Sequence, residues 1–297
     1  MPAPIPSRPW SMSMLALFFT AWSVLAAPAG GQTHQPTVGQ EGKDVPWVPT
    51  PDVLVDKMLE MAAVRPTDRV IDLGSGDGRL VIAAARLGAR AVGVELEESL
   101  VDLSRRRAAE AGVADLTEFL ATDLFEFDLS PATVITMFLL PDINYRLRPT
   151  LFALTPGTRI VSNTWELSGS AEGPDAPGWT PDRAVVLKPC PTWCTSLLWI
   201  VPAKVAGTWR LGNGELQLEQ HFQELSGRLR TDTGTAEIEA GRLSGTQITF
   251  RIGDTSYRGR VSPGDLDTRN VENTVSTMRG VVHTPDGTAD WQATLVP

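Results

Sequence analysis

Residues Arg69 to Arg79 read R-V-I-D-L-G-S-G-D-G-R, and this stretch decides the fold. A short apolar run (Val70, Ile71, Leu73) carries one acid, Asp72, and breaks into glycines at Gly74, Gly76 and Gly78. An apolar helical pattern follows at once, from Leu80 to Leu87. Strand, glycine turn and helix in that order open a nucleotide-binding α/β unit, because glycines let the chain turn sharply and approach a ligand closely. The spacing is G-x-G-x-G with an acid ahead of it, not the G-x-G-x-x-G of dinucleotide binders.

Two more acids follow at the ends of strand-like runs. Ala91 to Glu95 ends in Glu95, about 20 residues past the glycine turn, where a carboxylate accepts hydrogen bonds from both hydroxyls of a ribose. Leu116 to Leu120 leads into Asp123. Outward from there, strands are expected at Arg69–Leu73, Ala91–Glu95, Leu116–Leu120, Thr133–Phe138 and Arg159–Asn163. Helices are expected at Arg79–Leu87, Glu98–Ala111 and Asp142–Leu154. Such alternation implies a mainly parallel sheet covered on both faces. Ahead of it, V-P-W-V-P-T-P (Val45 to Pro51) predicts an extended path. Thr50 is then the N-cap and Pro51 the first residue of an amphipathic helix.

Beyond Pro202-Ala203-Lys204 the helical period stops. Short alternating runs separated by glycine turns predict an antiparallel meander closing as a small barrel or sandwich. A structural module is the simpler reading of it, and a lipid- or peptide-binding barrel the other. The expected organisation is residues 1–29 as a signal peptide, 30–44 as a polar linker, 45–204 as the α/β domain and 205–297 as the β-rich domain. The signal reading rests on Arg8, the apolar Met12 to Ala27 and the small residues of Ala27-Pro28-Ala29. An uncleaved anchor is the alternative, although the run is short of the roughly 20 residues a span needs. Export would suit a bridge between the two cysteines, Cys190 and Cys194, at the turn of a hairpin formed by Ala184–Leu187 and Thr195–Val201. Two free thiols remain the alternative. A net charge of -9 argues against a general nucleic-acid binder. The C-x-x-x-C spacing with no nearby His makes a poor zinc site, and no metal is expected.

The acid before the glycines resembles motif I of class I S-adenosylmethionine (SAM) methyltransferases. A closer resemblance rests on V-P-W-V-P-T-P, D-L-G-S-G-D-G-R, G-V-E-L-E, A-T-D-L-F, M-F-L-L-P-D-I-N-Y-R-L-R-P-T-L and P-G-T-R-I-V-S-N, in that order. Together they resemble the small lysine methyltransferases of the ATP synthase c-subunit and adenine nucleotide translocase type, with their bacterial relatives. The resemblance covers Val45 to Val201. It implies a Rossmann-like seven-strand sheet, SAM as cofactor and N-methylation of a protein lysine. It also implies a cofactor site at Thr50, Asp72, Gly74, Ser75, Gly76, Asp77, Glu95, Leu96 and Asp123, with Asp123 at the adenine amino group. Asp77 either orients the cofactor or serves the turn. Acceptor-pocket candidates are Trp47, Phe138, Leu140, Pro141, Asn163 and Trp165, with Leu139, Asn144 and Thr164 beside them. No catalytic base is named. His34, His221 and His283 all fall outside the methyltransferase region, which disfavours a His-base O-methyltransferase. F-L-L-P in place of N/D-P-P-Y/F disfavours amide and nucleobase acceptors. A small-molecule amine or lipid acceptor, a membrane-proximal acceptor, and a module that has lost catalysis remain open.

Overall fold

The computed structural model describes residues 1, 36–39, 46–168, 178–190, 192–262 and 276–296. The expected signal peptide and linker lie almost wholly outside these residues. Among the described residues no helix is long and apolar enough to cross a membrane.

The α/β part begins with α1 (Asp52–Met61), whose buried stripe is Leu54, Val55, Met58, Leu59 and Met61. Pro51, not Thr50, occupies its N-cap, and the Pro51 carbonyl accepts from the Leu54 and Val55 amides. The expected capping role of Thr50 is therefore corrected by one residue. Its hydroxyl instead accepts from Asn163 Nδ2 at 3.3 Å.

Next come β1 (Arg69–Leu73), α2 (Arg79–Arg86), β2 (Arg90–Glu95), α3 (Glu98–Glu110), β3 (Thr117–Ala121), β4 (Val134–Met137), α4 (Pro141–Phe152) and β5 (Arg159–Asn163). A hairpin of β6 (Arg183–Val186) and β7 (Thr195–Ile200) completes one seven-stranded sheet. Its order is β3-β2-β1-β4-β5-β7-β6, parallel except for the hairpin. All of β4 and four residues of β1 are buried, as expected of parallel strands covered on both faces. From β1 the chain winds first toward β2 and β3, then crosses back to β4. A crevice opens at that reversal, outside the C-terminal ends of β1 and β4, where open α/β sheets bind ligands.

The β-rich part is a closed barrel, not a sandwich. Its strands are β8 (Gly207–Leu211), β9 (Gly214–His221), β10 (Glu224–Thr231), β11 (Gly234–Glu237), β12 (Glu239–Ser244), β13 (Gln247–Ile252), β14 (Thr255–Ser262), β15 (Thr277–Thr284) and β16 (Gly287–Leu295). All pair antiparallel, and β9 pairs with β10 to close eight strands, while β11 adds to β10 alone. Trp209, Leu216, Leu218, Ile248, Phe250, Met278 and Trp291 pack together in its interior. Gly259 faces Gly280 under the Trp291 indole, and a Cβ on Gly259 would lie 2.7 Å from that ring.

Barrel and sheet share apolar surface. Phe222, in the β9–β10 turn, stacks on Trp179 at 5.5 Å and 2°, and Phe152 meets both edge-on. Gln223 Nε2 donates to the carbonyl and hydroxyl of Thr180 at 2.8 and 2.9 Å. Arg242 pairs with Asp182 at 2.7 Å. A chain ending at Lys204 would expose Trp179, now fully buried. It is expected to melt about 5 °C or more below the full chain, while SAM affinity stays within a few-fold. Calorimetry and titration of the two chains check this; equal melting would mean that the aromatic contact contributes nothing.

Candidate active site

The crevice at the ends of β1, β2 and β4 is lined by residues 46–50, the glycine turn, the tips of β2 and β3, and the segment after β4. Thr50, Asp72, Gly74, Ser75, Gly76, Asp77, Glu95, Leu96 and Asp123 all line it, as do Trp47 and Phe138. Leu140, Pro141, Asn163 and Trp165 do not. Leu140 is exposed and Pro141 starts α4. Asn163 is buried against Thr50, and Asn144 Nδ2 donates to the carbonyls of Trp165 and Glu166, holding that loop.

The turn carries glycine at three positions where a side chain has no room. Gly76 has φ +54, and a Cβ there would sit 2.9 Å from Trp47 Nε1. Its amide donates to Glu95 Oε2 at 2.8 Å, while the Glu97 amide donates to Oε1 at 3.0 Å. Each carboxylate oxygen thus has one backbone donor and keeps acceptor capacity for a ligand hydroxyl. Asp123 accepts from the Phe125 amide at 2.8 Å.

Asp72 and Asp77 are both buried, with opposite outcomes. Burial pushes the Asp72 carboxyl up to about 7. The Thr136 hydroxyl at 2.7 Å opposes this, and the neighbouring Glu95 and Asp77 charges add to it. Burial also pushes Asp77 up, but the hydrogen bonds and charges of Arg79 and Arg107 outweigh it and hold the carboxyl below its ordinary range. Arg79 grips Asp77 through Nε at 3.0 Å and Nη2 at 2.7 Å, and its Nη1 donates to the Thr50 carbonyl at 2.8 Å. Arg107 pairs with the same carboxylate. Asp77 Oδ2 thus takes two arginine donors and Oδ1 one, and through Arg79 the carboxylate ties residues 50–52 over the turn.

Leu139, expected beside the acceptor candidates, lines the crevice, whereas Arg79, Val94, Leu100, Leu124, Phe125 and Ile143 line it without having been singled out in the sequence. A signal for two of them was present: Leu124 and Phe125 immediately follow the acid Asp123.

A ligand suited to this crevice is cationic near Asp72, offers a diol to Glu95 and ends in a flat apolar group among Leu96, Leu124 and Phe125. SAM has that chemistry.

Known proteins are similar to this chain over its α/β part. A sequence family described as the ANTKMT methyltransferase domain matches residues 72–173, ending before the barrel. A protein-lysine N-methyltransferase of Saccharolobus islandicus is 44% identical over 128 residues, covering 42% of this chain and 80% of the relative. The ATP synthase c-subunit lysine N-methyltransferase of Rattus norvegicus is 34% identical over 140 residues, covering 47% of this chain and 60% of that enzyme. A solved RNA methyltransferase from Salinibacter ruber, in complex with S-adenosyl-L-homocysteine, is 49% identical with a TM-score of 0.48. The match covers 53% of this chain and 96% of that one.

Proposed function

Because the chain belongs to the protein-lysine N-methyltransferase family, we propose that it N-methylates a lysine side chain of a protein, with SAM as the methyl donor. The observation that carries this reading is the convergence of the glycine turn, Asp72, Glu95 and Asp123 on one crevice that continues to Phe138. The Gly74–Gly76 backbone and Glu95 hold the cofactor, Glu95 through the ribose hydroxyls and Asp123 at the adenine end. SAM supplies an electrophilic methyl on a sulfonium. The protein's task is to align an amine with that methyl and to exclude water. The acceptor ammonium must first lose its proton, which an apolar, desolvated site favours. No histidine lies between residues 45 and 204, consistent with positioning in place of a strong general base.

Two observations support an exported protein: the signal-like N-terminal pattern, and the pairing of Cys190 with Cys194, a bond that persists in oxidising compartments. Residues 1–40 fused to a reporter active only outside the cytoplasm are expected to give activity; a silent reporter, with the full chain recovered in the cytosol, would refute export.

Asp72 provides a pH test. Its carboxyl is raised in the folded state, so the unfolded chain ionises first as pH rises from about 4 toward 7, and stability falls across that window. Asp72→Asn removes the ionisation but keeps an oxygen for the Thr136 hydroxyl. It is expected to melt higher than wild type at pH 8 and equally at pH 4, yet to bind the cationic cofactor more weakly. Circular dichroism melts and isothermal titration check both halves.

The acceptor class is tested by incubating the full chain with radiolabelled SAM and bacterial envelope extract. Label in discrete protein bands supports the proposal. Label confined to the lipid or small-molecule fraction would favour the alternative acceptor, and SAM binding with no transfer would favour a non-catalytic module.

A further inference from the structure

Three aromatic side chains from separate segments meet just outside the cofactor crevice. Phe138 follows β4, Trp165 follows β5, and Trp193 lies in the loop between β6 and β7. The Trp193 ring is 6.2 Å from Phe138 and 5.6 Å from Trp165, tilted by 51° and 43°. Phe138 also lines the crevice, so the cluster continues it outward. Trp193 is 42% exposed and sits at φ 56, a conformation that side chains other than glycine rarely adopt. The loop that carries it is closed twice. Cys190 and Cys194 are bridged, and the Leu187 amide donates to the Cys194 carbonyl at 3.0 Å. An indole left half-open to water, yet held on a cross-linked loop against two other rings, has the form of a binding wall.

We propose that Trp193, with Phe138 and Trp165, forms the aromatic wall of the acceptor site and receives the alkylamine side chain on its way to the cofactor. This deepens the lysine reading and rests on it. The rings offer apolar contact to the methylene stem, and their π faces attract the ammonium. The π attraction favours the protonated amine at this outer wall, so the proton passes to water as the amine moves beyond the rings toward the desolvated cofactor crevice. Trp193 acts here as a positioning residue, and the Cys190–Cys194 bridge keeps it in place.

The test uses the full chain labelled with 5-fluorotryptophan and saturated with S-adenosyl-L-homocysteine. The probe is n-butylammonium, with n-butanol as its neutral counterpart. Fluorine signals are assigned from Trp193→Phe and Trp165→Phe. The Trp193 signal is expected to move saturably with n-butylammonium, with n-butanol binding at least threefold more weakly. Trp193→Ala, followed through the Trp165 signal, is expected to weaken n-butylammonium binding at least threefold while SAM affinity and melting temperature hold. The double variant Cys190→Ser/Cys194→Ser is expected to weaken it likewise. An unmoved Trp193 signal, or equal response to the alcohol, overturns the proposal. So does a Trp193→Ala variant whose SAM affinity and melting fall together with amine binding, since that marks a merely structural role. If Trp193 binds the amine but wild type puts no label on lysine, the lysine reading fails and the amine site stands. If lysine is labelled and Trp193 stays silent, the reverse holds.

Discussion

Glu95→Ala is expected to lower SAM affinity at least about tenfold. A charge-assisted hydrogen bond contributes about 1.5–3 kcal/mol, and roughly 1.4 kcal/mol is a factor of ten. Two losses combine in this variant. The ligand hydroxyls lose their acceptor, and the Gly76 and Glu97 amides lose the carboxylate that fixes the turn. Glu95→Gln keeps one carbonyl oxygen and should fall between alanine and wild type. Isothermal titration reads the affinity, with a circular dichroism spectrum to confirm the fold. An alanine variant that is folded and binds SAM like wild type would remove Glu95 from the site.

The largest stability effect is expected at Asp77. Its carboxylate is 2% exposed and is gripped by two arginines. Breaking a buried pair costs about 3–5 kcal/mol because the partner charge is stranded. Arg79 and Arg107 are 25% and 40% exposed, so water reaches them and the lower end applies. Asp77→Asn should therefore cost about 3 kcal/mol and lower the melting temperature by about 6–12 °C at neutral pH. The sign with pH follows from the depressed folded-state value. The pair's stabilisation is present above the unfolded carboxyl's ordinary value of about 4 and is lost as pH falls through the lower folded value. The gap between variant and wild type should then close in acid. A gap that persists unchanged well below pH 4 would mean that the charge is not what Asp77 contributes.

Much of the α/β part was legible because its strands are short apolar runs with hard boundaries. Arg69–Leu73 ends in glycine and Arg159–Asn163 begins after Pro156-Gly157, and both have their expected bounds. The barrel was less legible. Gly207–Leu211 carries no alternating apolar pattern, because its side chains bury only Trp209. Glu239–Ser244, a mixed polar stretch burying only Leu243, is a strand because β13 pairs along it. Within the site, Asp72, Glu95 and Asp123 could be seen because each lies in, at the end of or just after an apolar run. The Arg79 clamp could not, since its reach to the Thr50 carbonyl spans 29 residues and depends on α1 packing over the turn. The meeting of Phe138, Trp165 and Trp193 was likewise invisible, because only the fold order β4-β5-β7-β6 brings those segments to one edge.

Acid hydrolysis of envelope protein labelled by this chain from methyl-radiolabelled SAM, followed by amino-acid chromatography, tests the central claim most directly. The account predicts that the label elutes with mono-, di- or trimethyl-lysine, and that Glu95→Ala abolishes most of it at limiting SAM. Label eluting with any other amino acid would contradict a lysine acceptor.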